Sequence, residues 1–397
     1  MPFAIYMLGL AVFAQGTSEF MLSGLVPGIA RDLQVSVPAA GALTSAFAVG
    51  MIVGAPLTAV LSLRWPRRRA LLVCLTVFMI VHVAGAVTTS FGVLLAARVA
   101  GALANAGFLA VGLATATAMA GPGAKGRAAS VLLGGITLAC VAGVPAGAVL
   151  GQAWGWRSAF WAVAIVSVPA VVAVARTVPA TPPEAAVPDA RRELRALRRP
   201  RLLVTLLLGA LVNGATFCTF TYLAPLVIEV GGYGPQWVPV LLALFGLGSF
   251  AGVSIGGRMA DRRPMRLLVP GGLALLAGWI VFGVAAGNPA AVLVLVFVQG
   301  TLSFAVGSTL ITRALYAAAD APSLGGSFAT AAFNVGATAG PLLGGAAIGA
   351  GLGYRSPLWV GALLVATAFA VAVAALAAQR GDRTGGRTPD PRDAAAL

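Results

Sequence analysis

Twelve apolar runs dominate this chain: 3–26, 38–62, 69–88, 91–119, 128–152, 156–176, 202–229, 236–257, 265–286, 289–316, 323–351 and 356–378. Crossing the hydrocarbon core of a bilayer takes ~20 mostly apolar residues in a helix, so each run can be one span. Charged side chains make up 9% of the 397 residues, against roughly a quarter in soluble domains. Breakers separate the runs, among them Gly121-Pro122-Gly123, Gly231-Gly232-Tyr233-Gly234-Pro235 and Asn288-Pro289. The expected fold class is all-α integral membrane, with twelve transmembrane helices. Met1-Pro2-Phe3 lacks the basic segment of a cleavable signal, so the first run is expected to stay as a helix.

The net charge of +15 would suit nucleic acid, but its placement points elsewhere. Arginine and lysine gather between runs two and three (Arg64, Arg67, Arg68, Arg69), four and five (Lys125, Arg127) and eight and nine (Arg258, Arg262, Arg263, Arg266). They recur from Arg176 to Arg201 and in the tail at Arg380, Arg383, Arg387 and Arg392, whereas the opposite loops carry Arg31, Arg157 and Arg355. The positive-inside rule then places both termini and the centre of the chain in the cytoplasm, and no nucleic-acid partner is expected. Residues 178–200, rich in proline and arginine, read as a cytoplasmic linker between six-helix bundles at 1–177 and 201–378. Residues 379–397 read as a disordered cytoplasmic tail.

The halves repeat. Gly155-Trp156-Arg157-Ser158 returns 198 residues later as Gly353-Tyr354-Arg355-Ser356, and at the same offset Gly50 and Gly54 return as Gly248 and Gly252. Two six-helix bundles related by a parallel repeat are the signature of secondary transporters, with the site at midplane between them.

Within the first run the only charged side chain is Glu19, in Gly16-Thr17-Ser18-Glu19-Phe20-Met21. A carboxylate at membrane depth costs at least ~2.5 kcal/mol on insertion scales and marks function by default, the plainer reading being a glutamate that pairs or snorkels. Arg98, in the fourth run, is the second such residue and the candidate partner of Glu19. Desolvation disfavours a charged Glu19 while Arg98 favours it, and the sequence leaves the winner open. His82, alone among apolar residues, reads as a packed histidine before a proton relay. Glu229 is placed at the outer end of its run, and Arg313 near the cytoplasmic end of run ten is expected to snorkel.

Gly143-Val144-Pro145-Ala146-Gly147 in the fifth run combines a bare helix face with a helix-bending proline, and Gly340-Pro341-Leu342-Leu343-Gly344 echoes it. Tight packing alone would also use such glycines. Two catalytic patterns fail on context. Gly121 to Gly126 fits a dinucleotide loop without a preceding strand, and Gly252 to Gly256 fits a nucleophile elbow without a histidine partner. A membrane-embedded enzyme is the weak alternative class. Cys74, Cys140 and Cys218 lie in apolar runs with no metal spacing, and neither metal nor cofactor is expected.

Gly16 to Met21, Gly24-Leu25-Val26-Pro27, Asp32-Leu33-Gln34-Val35-Ser36 and Gly54-Ala55-Pro56-Leu57 resemble the twelve-helix drug:proton antiporter branch of the major facilitator superfamily, most of all chloramphenicol-resistance exporters. Arabinose and purine-nucleoside exporters share the first-helix signature, so a sugar or nucleoside is the alternative cargo. The resemblance implies a bacterial inner-membrane, proton-driven exporter with the major facilitator fold, in which Glu19 and Arg98 serve coupling. It also makes Gly143, Pro145 and Gly147 an antiporter motif and Asp261 a conformational latch. Leu63 stands where the first copy of that loop would carry its aspartate, and Gly101 and Ala102 replace the Gln-Gly that follows the family's arginine. Polar or aromatic residues at central depth give the candidate drug pocket: Gln15, Asn105, Asn213, Phe217, Tyr222, Gln299 and Asn334. The expected partners are a small-molecule drug, protons and the bilayer, with the protein acting as a monomer.

Overall fold

The computed structural model describes residues 2–62, 65–120, 124–179, 195–260, 264–319, 321 and 325–385. Those residues form helices and connecting turns, with no strand among them. Span 1 is a pair of helices, Phe3–Phe20 and Leu22–Asp32, bent by 53°. Spans 2 to 6 follow as Val37–Ser62, Arg67–Val87, Phe91–Met119, Lys125–Trp154 and Arg157–Thr177. Span 7 is Pro200–Thr221 continued by Leu223–Glu229, and spans 8 to 10 are Pro235–Met259, Pro264–Ala285 and Pro289–Ala317. Spans 11 and 12 are Gly325–Leu352 and Ser356–Gly385. Counting the bent pair as one span, up to 12 helices are long and apolar enough to cross a membrane. The last helix runs past 378 because Ala374-Ala375-Leu376-Ala377-Ala378 strongly favours helix.

The exterior is apolar where a soluble protein would be polar. Ile80, Val87, Ile165, Val284, Leu363 and Val373 are all more than half exposed. A belt of this kind on helices long enough to span a bilayer is the surface that lipid chains cover. Inside, small residues let backbones touch, since packing rather than hydrophobic expulsion drives helix association in a bilayer. A Cβ on Gly50 or Gly54 would meet the backbone of Val99 or Leu103, and one on Gly248 or Gly252 would meet that of Phe297 or Thr301. Span 2 therefore crosses span 4 as span 8 crosses span 10, in the 198-residue register.

Spans 1 and 7 keep a different register. Gly135 lies against Gly9 and Phe13, and Gly336 lies against Ala210 and Gly214, each pair displaced by 201 residues. The interruptions obey the same offset: span 1 breaks at Met21 and span 7 at Tyr222. Pro225 supplies the second break, because it has no N–H for the Thr221 carbonyl. By this register the counterpart of Glu19 is Phe220.

Spans 1–6 pack among themselves, as do spans 7–12, and the bundles meet chiefly through spans 2 with 11 and 5 with 8. Their described contacts lie toward the side remote from the arginine-rich loops. Tyr222 fits between Gly41 and Gly345, Gly246 rests on the Cys140 carbonyl, and Gly24 touches Leu242. Ser45 Oγ donates to the Thr338 carbonyl at 2.7 Å and Gln152 Nε2 to that of Pro235 at 2.6 Å.

Candidate functional site

Glu19 lies on the last turn before the break in span 1 and is partly buried. Gln15, one turn earlier on the same face, is 1% exposed, and neither of its amide atoms has a hydrogen-bond partner. Arg98 on span 4 is 2% exposed, within electrostatic reach of Glu19 but not in an ion pair with it. Its Nη1 donates instead to Ser18, to the carbonyl at 3.0 Å and the hydroxyl at 2.9 Å. The guanidinium carbon lies 4.3 Å from the centre of the Phe47 ring, while Nε and Nη2 have no partner. A buried cation with two idle donors needs an explanation, because such groups are nearly always satisfied.

Ser18 passes the chain of bonds to span 3. His82 Nδ1 lies 2.6 Å from the Phe78 carbonyl, which can only accept, so the proton sits on Nδ1. Nε2 is then the acceptor for the Ser18 hydroxyl, also at 2.6 Å. The order is Arg98 to Ser18 to His82 to the Phe78 carbonyl, every donor used in one direction. His82 is 3% exposed and packed between Phe78 and Phe160, as expected of a packed histidine. Phe47 carries no sequence signal of its own, and Ser18 was marked only as a member of the Gly16–Met21 stretch; their contact with Arg98 reveals both.

The glycine–proline segment of span 5 faces the same stretch of span 1. A Cβ on Gly143 would collide with Thr17, and one on Gly147 would touch Met21, so the two glycines bracket the level of Glu19. Ala139–Gly143 forms a π turn, closed by the Val144 N–H on the Ala139 carbonyl. Pro145 accounts for it: a ring that would clash with the carbonyl of residue 141 is accommodated by widening the helix just before it. Pro341 in the echo lies inside an unbroken α-helix, and the π turn of span 11 comes later, at Ile348–Leu352.

The expected drug-pocket residues fall into two groups. Phe217 meets Phe20 at 5.8 Å between ring centres and packs with Ala48 and Ala337, so it joins four spans of both bundles. Phe220 adds an edge to Phe20 at 6.4 Å and stacks on Phe245 at 4.5 Å. Asn213 is partly buried nearby on span 7, its amide donating to the Phe333 carbonyl at 2.7 Å. The others are engaged by the helices themselves, most of them between one helix and the next. Gln299 ties span 10 to the Leu275 carbonyl of span 9, Asn105 reaches the Met51 sulfur, and Asn334 donates to Thr330 on its own helix. Tyr222 is fully buried with its hydroxyl on the Pro341 carbonyl at 2.8 Å. Asp261 and Leu63 lie outside the described residues.

At the side remote from the arginine-rich loops, Asp32 accepts from both Arg157 and the Trp156 indole, the latter at 3.0 Å. Arg157 also donates to the Thr88 carbonyl at 2.8 Å and covers the Trp156 ring. The Arg157 hydrogen bond, helped by that of Trp156, holds the Asp32 carboxyl below the usual carboxylate range.

Two interlocked six-helix bundles, broken first helices in each and a membrane-depth acid beside a restrained arginine define a membrane transporter. The comparisons give its family. Residues 8–326 match the Major Facilitator Superfamily, and the chain belongs to it. A chloramphenicol resistance protein of Streptomyces lividans is 56% identical over 375 residues, 94% of this chain and 96% of that one. The inner membrane transport protein YdhP of Escherichia coli (strain K12) is 35% identical, over 91% of this chain and 92% of its own. The crystal structure of a bacterial homologue of the human lysosomal transporter Spinster, inward-facing and occupied, matches with a TM-score of 0.73 at 17% identity, covering 94% and 96% of the two chains. The protein is thus a multi-pass membrane transporter for a small molecule.

Proposed function

We propose that the protein exports a small neutral drug, with chloramphenicol the leading candidate, in exchange for protons across the bacterial inner membrane. The 56% identity to a chloramphenicol resistance protein supports the cargo. The observation that carries the coupling is the unpaired state of Glu19, with Arg98 turned to Ser18 and two of its donors idle. In this reading a deprotonated Glu19 takes up those donors, and a protonated Glu19 releases them. The exchange needs no third charge.

The arginine-rich side, with both termini, is the cytoplasm. The contacts described above then close the periplasmic side, and a drug enters from within onto Phe20, Phe217, Phe220 and Asn213. Chloramphenicol offers a ring to the aromatics and hydroxyl and amide groups to Asn213 and Gln15. Alternating access follows as the bundles rock across the π turn at Ala139–Gly143, where span 5 touches both span 1 and span 8. One proton moving inward through 100 mV releases ~2.3 kcal/mol, enough to sustain more than a tenfold drug gradient. Monomeric action is part of the proposal, since one chain carries both bundles and the whole site.

The test is accumulation in an efflux-deficient host expressing the chain, with phenicols, sugars and nucleosides presented in parallel. Chloramphenicol should accumulate less, leave chemically unchanged, and return to control levels with a protonophore. Equal accumulation of chloramphenicol with and without the protein removes the cargo. Loss of drug that ignores the protonophore removes the coupling.

A further inference from the structure

A cavity of about 500 Å³ lies away from the seam, among spans 7, 9, 10 and 12 of the C-terminal bundle. Its wall is apolar, formed by Leu208, Leu268, Val306, Leu310, Val365 and Phe369 among others. At one end stand Arg201, which opens span 7, and Arg313, in the closing turns of span 10. Both side chains are exposed, and neither guanidinium forms a hydrogen bond or ion pair among the described residues. Among the described residues no carboxylate lines the cavity. Two unmatched guanidinium groups above a greasy slot are an unusual pairing for a drug site that takes neutral cargo.

The dimensions name the occupant. From Arg201 to Val212 the wall descends eleven residues, roughly 16 Å at 1.5 Å per residue. One leaflet contributes about 15 Å of a hydrocarbon core ~30 Å thick. Met265 and Leu376, both more than half exposed, line the rim, so the slot is open to the bilayer. We propose that this cavity binds one anionic phospholipid of the arginine-rich leaflet, with its phosphate on Arg201 and Arg313 and one acyl chain along span 7. Basic pockets between helices at that depth have the chemistry for such headgroups. The lipid fills the gap left between the peripheral spans 9 and 12 and fixes them to span 7, without entering the transport path.

Native mass spectrometry of the full-length protein tests this, using phosphatidylglycerol and phosphatidylethanolamine with identical acyl chains. Two arginines correspond to a preference for phosphatidylglycerol on the order of 30-fold. Arg201→Gln with Arg313→Gln should reduce that preference to near unity. Ala372→Trp, which fills the slot with an indole, should lose the bound phospholipid of either kind. If Ala372→Trp does not fold, the arginine pair alone decides, because both side chains are exposed and outside the packed core. Equal retention of the two lipids by the wild type overturns the proposal, as does a phosphatidylglycerol preference untouched by the arginine changes. Displacement of the lipid by glycerol phosphate at equal concentration would also overturn it, leaving an anion site without a place for the chain. None of these readings depends on which drug is carried.

Discussion

The two bundles have one backbone plan and opposite interiors. At the break of span 1 the N-terminal bundle places Glu19, with Arg98 lying on Phe47. At the matching break of span 7 the C-terminal bundle places Phe220, which stacks on Phe245, the counterpart of Phe47 in the 198-residue register. Val296 holds the position of Arg98 in that register. A carboxylate and a guanidinium in one half are thus an aromatic and a valine in the other. Charge buried in a bilayer is costly, and among the described residues only the first half bears the cost. Under the proposed function the comparison becomes a division of labour: the first bundle would hold or release a proton, and the second would offer a ring surface.

The largest effect should come from removing the acid. Glu19→Gln keeps the shape but fixes the neutral state, so in reconstituted vesicles proton-driven uphill export should vanish while drug binding persists. Phe220→Leu, at the matching position, should weaken drug affinity several-fold and leave the coupling intact. Uphill export by Glu19→Gln would move the proton site elsewhere. Loss of coupling in Phe220→Leu equal to that in Glu19→Gln would break the division of labour.

Arg98 comes next. Arg98→Met keeps the length of the side chain but removes the guanidinium and its two bonds to Ser18, so it should export almost nothing even where the protein reaches the membrane. Ser18→Ala is the milder probe. It strips the shared hydroxyl from both Arg98 and His82, at a cost of ~1–3 kcal/mol for the buried groups left unpaired, and should keep partial export. Full export by a stable Arg98→Met would leave the arginine with no part in transport.

The sequence showed the fold more readily than the site, for physical reasons. Bilayer thickness sets the length of every span, so twelve apolar runs translate almost directly into twelve helices. Glu19 and Arg98 stood out because charge at that depth is rare. The division of register did not: a 198-residue repeat marked by Gly50, Gly54 and the Arg157 frame gave no hint that spans 1 and 7 slip by three residues. Only backbone contacts such as Gly135 on Gly9 and Gly336 on Ala210 reveal that Glu19 answers to Phe220. Polar residues were equally ambiguous, because an amide that binds cargo and one that ties two helices look alike in a sequence. Gln299, spent on the Leu275 carbonyl, and Phe217, facing Phe20, could be told apart only in three dimensions.

The smallest effect belongs to the ends of the bundles remote from the arginine-rich loops, where the halves differ again. Arg157 is clasped by Asp32, whereas Arg355 at the matching entrance of span 12 has no carboxylate partner among the described residues. The hydrogen bond from Arg157 keeps the Asp32 carboxyl below its usual range. A carboxylate whose folded value is depressed adds stability above its unfolded value, near ~4, and loses it only as pH falls through the lower folded value. Under the proposed coupling the Asp32 clasp would therefore be silent where Glu19 would respond. The pair is substantially exposed, with side-chain exposures of 30% for Arg157 and 45% for Asp32, so its worth is that of a surface ion pair, about 0.2–1 kcal/mol. Asp32→Asn should lower the melting temperature slightly and leave the pH profile of export superimposable on that of the wild type, and Arg355→Ala should change neither. A pH profile displaced by Asp32→Asn would place proton sensing at the rim as well as at the centre, and the contrast between a silent clasp and a titrating acid would fall.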